Sequence, residues 1–280
     1  MNRDQISNAK RVVIKIGSST LTGKAGERLD KKNVDAIVEV VATLRSRGSE
    51  VVLVSSGAIA TGLAPLGLHT RPTDLATQQA AASVGQGLLI SHYSQSLARH
   101  SLLSSQVLLT IDDFTREEHY ANAQRTLFKL IELDVVPIIN ENDSVGVQEI
   151  RFGDNDRLAA LVAYLIGADL LVLVSDIDAL YDAPPSTPGA ARVSLVENVA
   201  ELQDIQIGGV GSSGVGSGGM VTKIDAARIA TSVGITMLLT SLEKLSVALD
   251  GDDEGTIFKT SVVQKPASSH EDIKPFVSKP

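Results

Sequence analysis

The chain has no cysteine and no tryptophan, and only four Tyr and five Phe among its 280 residues. Zero cysteine removes disulfides and thiolate metal sites, and it fits a reducing compartment. Nucleic-acid binding needs a basic footprint and usually stacking platforms. A net charge of −8, no basic run and so few rings argue for no nucleic acid among its partners. The N-terminal MNRDQISNAKR lacks the apolar stretch of a secretory signal. The longest apolar stretch, 158–174, is interrupted by Asp169 and is too short to span a bilayer. These absences predict a cytoplasmic protein with no membrane partner. The five histidines (69, 92, 100, 119 and 270) have no ligand spacing, so none is assigned to a metal. What remains is ordinary for a soluble globular chain, 43% hydrophobic and 21% charged, and long enough to bury a sizeable core.

Hydrophobic patterning reads as strands alternating with helices through the whole length. RVVIKI (11–16) is a first strand closed by Gly17-Ser18-Ser19-Thr20, and EVVLVS (50–55) is a second, with an apolar core that predicts burial on both faces. Between them Asp30 caps a helix with apolar Val34, Ile37, Val38, Val41 and Leu44, stopped by Gly48. A helix over about 73–100 carries Gly85 and Gly87 as weak points. A strand at 102–109, a helix at 117–133, the VVPII strand, a helix at 156–166 and LLVLVS at 170–175 follow. Then come a Pro-rich loop (182–191), a glycine-rich run (208–219), a helix at 220–233, a strand at 235–240 and an edge strand near 255–258. From 264 onward the composition is polar with no period, which predicts a loose tail. The pattern specifies an α/β fold with a mostly parallel sheet.

The chain is organised around 135–168. Between its apolar strand and its apolar helix lie Asn140, Glu141, Asn142, Asp143, Asp154, Asn155 and Asp156, a density of carboxylates and amides that no core tolerates. Such a cluster just past a strand end is where open α/β sheets bind ligands, although a solvated loop has the same composition.

Two phosphate motifs fail on inspection. Gly17-SSTLT-Gly23-Lys24 has five residues between its glycines where a P-loop has four, and Ala25 stands where the Mg²⁺-binding hydroxyl belongs. The GxGxxG matches at 209–214 and 214–219 follow no strand and have no ribose-binding acid some 20 positions on. The 250–255 stretch, DGDDEG, resembles a Ca²⁺ loop but has Ser261 at the twelfth position, so it is a turn. The glycine-rich run can still bring backbone N–H groups to phosphate oxygens, with Lys223 in the first turn of the next helix; a flexible surface loop is the alternative. Lys15, inside an apolar strand, either reaches a site or faces solvent from an edge strand. Ser56 and Gly57 suit a hydroxyl and backbone amides binding substrate, since no GxSxG surrounds the serine. Asp176 either contacts a nucleotide or metal, or caps a helix.

In their order, VVIKIGSSTLT, VVLVSSGAIATG, VPIINENDSV, FGDNDRLAALVA, LVLVSDIDALY and GSGGMVTKIDAA resemble the amino-acid kinase superfamily, and within it the glutamate 5-kinase family, over 11–258. NENDSV followed by FGDND is the most specific part of the match. The resemblance implies an αβα sandwich around a largely parallel sheet, one kinase domain over 1–263 with its N-terminal half binding L-glutamate and its C-terminal half ATP. The sequence departs from the many family members that carry a C-terminal PUA domain: only the 264–280 tail follows, which is read as a kinase-only form with no PUA domain. The resemblance also implies ATP-dependent phosphorylation of the glutamate γ-carboxylate, the first step of proline biosynthesis, with Mg²⁺ held mainly through the ATP phosphates.

Residue by residue, the resemblance implies that Lys15 contacts the transferring phosphoryl group and that Asp156 orients Lys15 and Lys223, these three forming the catalytic set. Ser56, Asp143 and Asn155 are implied to bind glutamate, and the backbone amides at Ser56 and Gly57 suit its carboxylates. Ser175 and Asp176, more usually Thr-Asp, are implied to contact ATP together with Lys15, and so is the segment Ser217, Gly218, Gly219, Met220, Val221, Thr222 and Lys223. Feedback inhibition by proline and a homo-oligomer, dimer or tetramer, are further implications. The competing readings are a superfamily relative acting on acetylglutamate, aspartate, carbamate or UMP, and a catalytically silent ligand-binding protein on the same fold. An acidic, amine-binding cluster is wasted on an acylated amine or a nucleotide, which argues against the first. The presence of both lysines argues against the second.

Overall fold

A computed structural model describes residues 1–22, 29–145, 155–204, 219–260, 262 and 270–277. The first half runs β1 (Arg11–Ile16), α1 (Ser18–Thr22), α2 (Lys31–Ser46), β2 (Glu50–Ser55), α3 (Ala58–Leu63), α4 (Leu75–Ala98), β3 (Leu103–Leu109), α5 (Asp112–Thr115), α6 (Glu117–Glu132) and β4 (Val135–Glu141). The second runs α7 (Asn155–Leu165), β5 (Leu170–Ser175), β6 (Leu180–Tyr181), β7 (Arg192–Val193), β8 (Leu195–Val196), α8 (Met220–Ser232), β9 (Thr236–Ser241), α9 (Leu245–Leu249), β10 (Thr256–Phe258) and α10 (Lys274–Val277).

Eight of these strands form one sheet in the order β3-β4-β2-β1-β5-β9-β10-β8, parallel except where β10 meets β9. β1, β2 and β5 are buried almost throughout, as their unbroken apolar runs predict. Alternate residues serve opposite faces. Val13, Val52, Val54, Leu171 and Leu173 pack with α6, α7 and α8, while Val12, Ile14, Ile16, Leu53 and Val172 pack with α2, α4 and α9. This is the expected αβα sandwich. Asp30 accepts a hydrogen bond from the Lys32 amide at the start of α2, and Asp74 does the same for Thr77 at the start of α4.

The strand order turns around at β1, which has β2 on one side and β5 on the other. A crevice at the carboxyl ends of β1 and β5 is where such a sheet offers room for a ligand. Lys15 therefore lies in the middle of the sheet, and the edge-strand alternative for it is excluded.

Three local expectations differ. β10 is not an edge strand, because β8 pairs outside it through Ile257↔Leu195 and Phe258↔Val196; a two-residue strand is too short to show alternation in sequence. The Pro-rich loop is closed by an antiparallel ribbon, Leu180↔Val193 and Tyr181↔Arg192. In the C-terminal stretch expected to be loose, 270–277 is folded: a 3-10 turn (His270–Asp272) leads into α10. Ile273 and Val277, four apart and so on one helical face, are buried in the same cluster as Phe114, Tyr120 and Tyr164. The Tyr164 hydroxyl donates to Asp272 at 2.8 Å. Polar neighbours hid this short apolar stripe from a composition reading.

Candidate active site

Lys15 has the parity of Val13, so it projects toward the layer of α7 and α8. There Asp156, in the first turn of α7, is fully buried, and Lys15 and Lys223 are 4% and 6% exposed. Lys15 Nζ lies 2.5 Å from Asp156 Oδ1, and Lys223 Nζ lies 3.1 Å from Asp156 Oδ2. The Thr222 hydroxyl also faces Oδ2 at 3.0 Å and the Gly219 carbonyl at 2.8 Å, tying the start of α8 to the same carboxylate. Removing ions of this size from water costs several kcal/mol each, which a buried pair recovers only with good geometry. A carboxylate shared by two buried cations is a poor arrangement for stability alone. It is a good one for holding positive charge ready for a phosphate, beside the N-terminus of a 13-residue helix.

A second cluster lies at the ends of β2 and β4. Asn155 Nδ2 lies 2.8 Å from Asn140 Oδ1, 3.0 Å from Ser56 Oγ and 3.1 Å from the Ser55 carbonyl. Asn140 Nδ2 donates to Gln86 Oε1 at 2.7 Å, and Asn140 Oδ1 accepts the Glu141 amide at 2.9 Å. The turn carrying Ser56 is sharp: Gly57 sits at φ +92°, where an L side chain is strained, and its carbonyl accepts from the Thr61 amide and hydroxyl as α3 begins. Ser55, just before it, lies 3.2 Å from the hydroxyl of Tyr93, whose burial pushes the phenol well above its usual range.

Gly85 is no weak point. A Cβ there would come within 1.8 Å of the Ala58 carbonyl, and one on Gly62 within 1.9 Å of the Ala81 carbonyl, so these two glycines let α3 and α4 cross backbone to backbone. Gly87 faces open space.

The sequence-derived residues divide clearly. Lys15, Asp156 and Lys223 meet, and Ser56 and Asn155 meet, while Asp143 lies in the turn just past β4. Ser175 is buried at the end of β5 and donates to the exposed Asp176 at 3.0 Å. The strand β6, and no helix, follows Asp176, so it is not a helix cap. Gly219 caps α8, with Met220 half-buried and Val221 exposed in its first turn. Ser217, Gly218, Asp154 and the rest of the glycine-rich run lie outside the described residues. Sequence reasoning missed two contributors: Asn140 was counted only as one polar residue of the cluster, and Gln86 not at all. A glutamine at a core-facing position of an Ala/Leu-rich helix was the available signal.

The profile of the amino acid kinase family matches residues 10–241. The chain is 60% identical to the glutamate 5-kinase of Salinispora arenicola, over 92% of this chain and 70% of that one. It is 57% identical to the glutamate 5-kinase of Streptomyces coelicolor, over 91% and 68%, and 53% identical to that of Thermobifida fusca, over 95% and 68%. Among solved structures, the carbamate kinase of Giardia lamblia bound to AMP-PNP superposes with a TM-score of 0.66 at 20% identity, covering 91% of this chain and all of that one. The UMP kinase of Bacillus anthracis superposes at 0.59 and 12%, covering 91% and 97%. At those identities the superpositions speak for the fold, and the sequence matches speak for the branch. The chain belongs to the amino acid kinase family and, within it, to the glutamate 5-kinases.

Proposed function

We infer that this chain transfers the γ-phosphoryl group of ATP to the γ-carboxylate of L-glutamate, forming γ-glutamyl phosphate and ADP, the entry step of proline biosynthesis. The observation that carries the site assignment is the pairing of Lys15 and Lys223 on the two oxygens of Asp156. In the reaction a carboxylate oxygen attacks the γ-phosphorus, and the bond to the β–γ bridging oxygen breaks. No base is required, because a glutamate carboxylate is already ionised at neutral pH. What the protein must supply is alignment of two anions and neutralisation of charge on the phosphoryl oxygens in flight.

Lys15, from the sheet, and Lys223, from α8, serve that neutralisation. Asp156 is a positioning residue that keeps the two ammonium groups from repelling each other apart. Ser56, the amides around Gly57, Asp143 and Asn155 hold glutamate, its ammonium meeting Asp143 and its carboxylates the hydroxyl and amide donors. Ser175 and Asp176 contact the nucleotide, and the 217–223 segment takes its phosphates. On this assignment the N-terminal half is the glutamate half and the C-terminal half the ATP half.

Mg²⁺ fits as a companion of ATP. Asp156 already lies between two cations, and the described residues hold no group of three or more His, Asp or Glu that could cage a metal. Bound to the phosphates, Mg²⁺ would supply further charge neutralisation. A cytoplasmic location, a homo-oligomer and feedback inhibition by proline belong to the same proposal, supported by the family resemblance. No helix among the described residues is long and apolar enough to cross a membrane.

The test is ADP release with Mg²⁺ and hydroxylamine across glutamate, acetylglutamate, aspartate, carbamate and UMP. Glutamate-dependent ADP release with hydroxamate formation is the expected result. Turnover with another acceptor alone would overturn the substrate, and ATP binding without any turnover would favour a ligand-binding protein.

A further inference from the structure

We propose that Gln86 on α4 is a positioning residue for the acceptor site, acting through a polar relay whose hydrogen-bond direction is set by the backbone. The proposal rests on the assignment of Ser56 and Asn155 to substrate binding.

Two main-chain groups leave the relay one polarity. The Glu141 amide can only donate, so the Asn140 atom 2.9 Å from it is the carbonyl oxygen. The Ser55 carbonyl can only accept, so the Asn155 atom 3.1 Å from it is the amide nitrogen. Asn140 then has only its NH₂ to offer Gln86, and Gln86 must answer with its oxygen, at 2.7 Å. At the other end Ser56 Oγ accepts from Asn155 at 3.0 Å. Its own proton is thereby turned away from Asn155 and is available to donate to an anionic substrate group. Among the described residues Ser56 Oγ has no other partner.

The relay also links side chains from the two helical layers on opposite faces of the sheet. Asn140 has the strand parity of Val136 and Ile138, which pack with α4, whereas Asn155 opens α7 on the opposite face. Gln86, Asn140 and Asn155 therefore reach around the carboxyl edge of the sheet. Gln86 can do so because Gly85, its neighbour, seats α4 directly on α3, the helix that starts from the Ser56–Gly57 turn. The three side chains are 9%, 2% and 8% exposed, so an unmet acceptor or donor here is not repaired by bulk water.

What the position requires is an acceptor, and that separates two substitutions of similar size. Gln86→Met removes the acceptor and leaves Asn140 Nδ2 buried and unmet; Gln86→Glu keeps an acceptor whether or not it is ionised. Steady-state kinetics and thermal melts on both, beside the unmodified chain, test the proposal. The expected result is a glutamate KM raised about tenfold or more in Gln86→Met, with the ATP KM within about twofold, and a glutamate KM near the original in Gln86→Glu. If Gln86→Met does not fold, the Gln86→Glu value decides alone. A glutamate KM in Gln86→Glu raised as far as a lost hydrogen bond predicts, or one unchanged in a folded Gln86→Met, overturns the relay. Absence of glutamate-dependent turnover in the unmodified chain would instead overturn the functional reading on which it rests.

Discussion

Lys15 and Lys223 hold opposite oxygens of one carboxylate, that of Asp156, although one comes from the first strand and the other from the helix before the last long strand. Neither lysine owes its buried place to its own segment. Each is held because α7 delivers a carboxylate into the gap between them.

Removing one of these charges is expected to act on the chemical step. Lys223→Ala should lower kcat by about two to three orders of magnitude, the usual loss when one charge-stabilising group is deleted, with glutamate KM changed only modestly. Initial-rate kinetics check this, and an unchanged turnover would sink the two-lysine mechanism.

Removing the anion acts on folding as well. Asp156→Asn leaves two buried ammonium groups without their shared carboxylate, and stripping one partner from a buried ion pair costs about 3–5 kcal/mol. Denaturant unfolding should show a loss of that order together with a fall in activity. A variant as stable as the original would mean that the carboxylate carries little of the lysines' charge.

The two glycines of α4 should respond in opposite directions. Gly85→Ala places a methyl group within 1.8 Å of a backbone carbonyl, so α3 and α4 must separate. The expected result is destabilisation of about 1–3 kcal/mol or more and a raised glutamate KM, because α3 carries the Ser56 turn. Gly87→Ala meets nothing within 4 Å and should stabilise by up to about 1 kcal/mol through helix propensity. Thermal melts of the pair decide whether the crossing is as tight as described.

Stability should fall at alkaline pH. Burial holds the phenols of Tyr93 and Tyr120 above their usual range, so the folded chain keeps these protons where the unfolded chain releases them. Their contribution is therefore fully present below about pH 10, the unfolded value, and is lost as pH rises beyond it. Tyr93→Phe should flatten that loss in part, since Tyr120 remains. At neutral pH it should cost about 1 kcal/mol for the contact with Ser55. Equilibrium unfolding at a series of pH values from 7 to 11 reads both effects, and an identical alkaline slope in the variant would contradict the assignment to Tyr93.

Much of the fold was legible in one dimension. Unbroken apolar runs at 11–16, 50–55 and 170–175 announce doubly covered parallel strands, because a strand buried on both faces cannot alternate. The charged outliers of those patterns, Lys15 and the Asn-Asp cluster, point to the site for the same reason: burying them without a purpose costs too much. Short elements were not legible. β8 has two residues and α10 has four, too few for a period to emerge.

The local sequence, then, determined which segments are strands and helices, and which polar residues were out of place among them. Only the tertiary structure decided which of those residues meet. Lys15, Asp156 and Lys223 converge because the strand order turns at β1 and strand parity aims Lys15 at the helical layer that carries the other two. Gln86 enters the site because two glycines let one helix sink onto another, and contact between segments distant in sequence leaves no periodic signal in either of them.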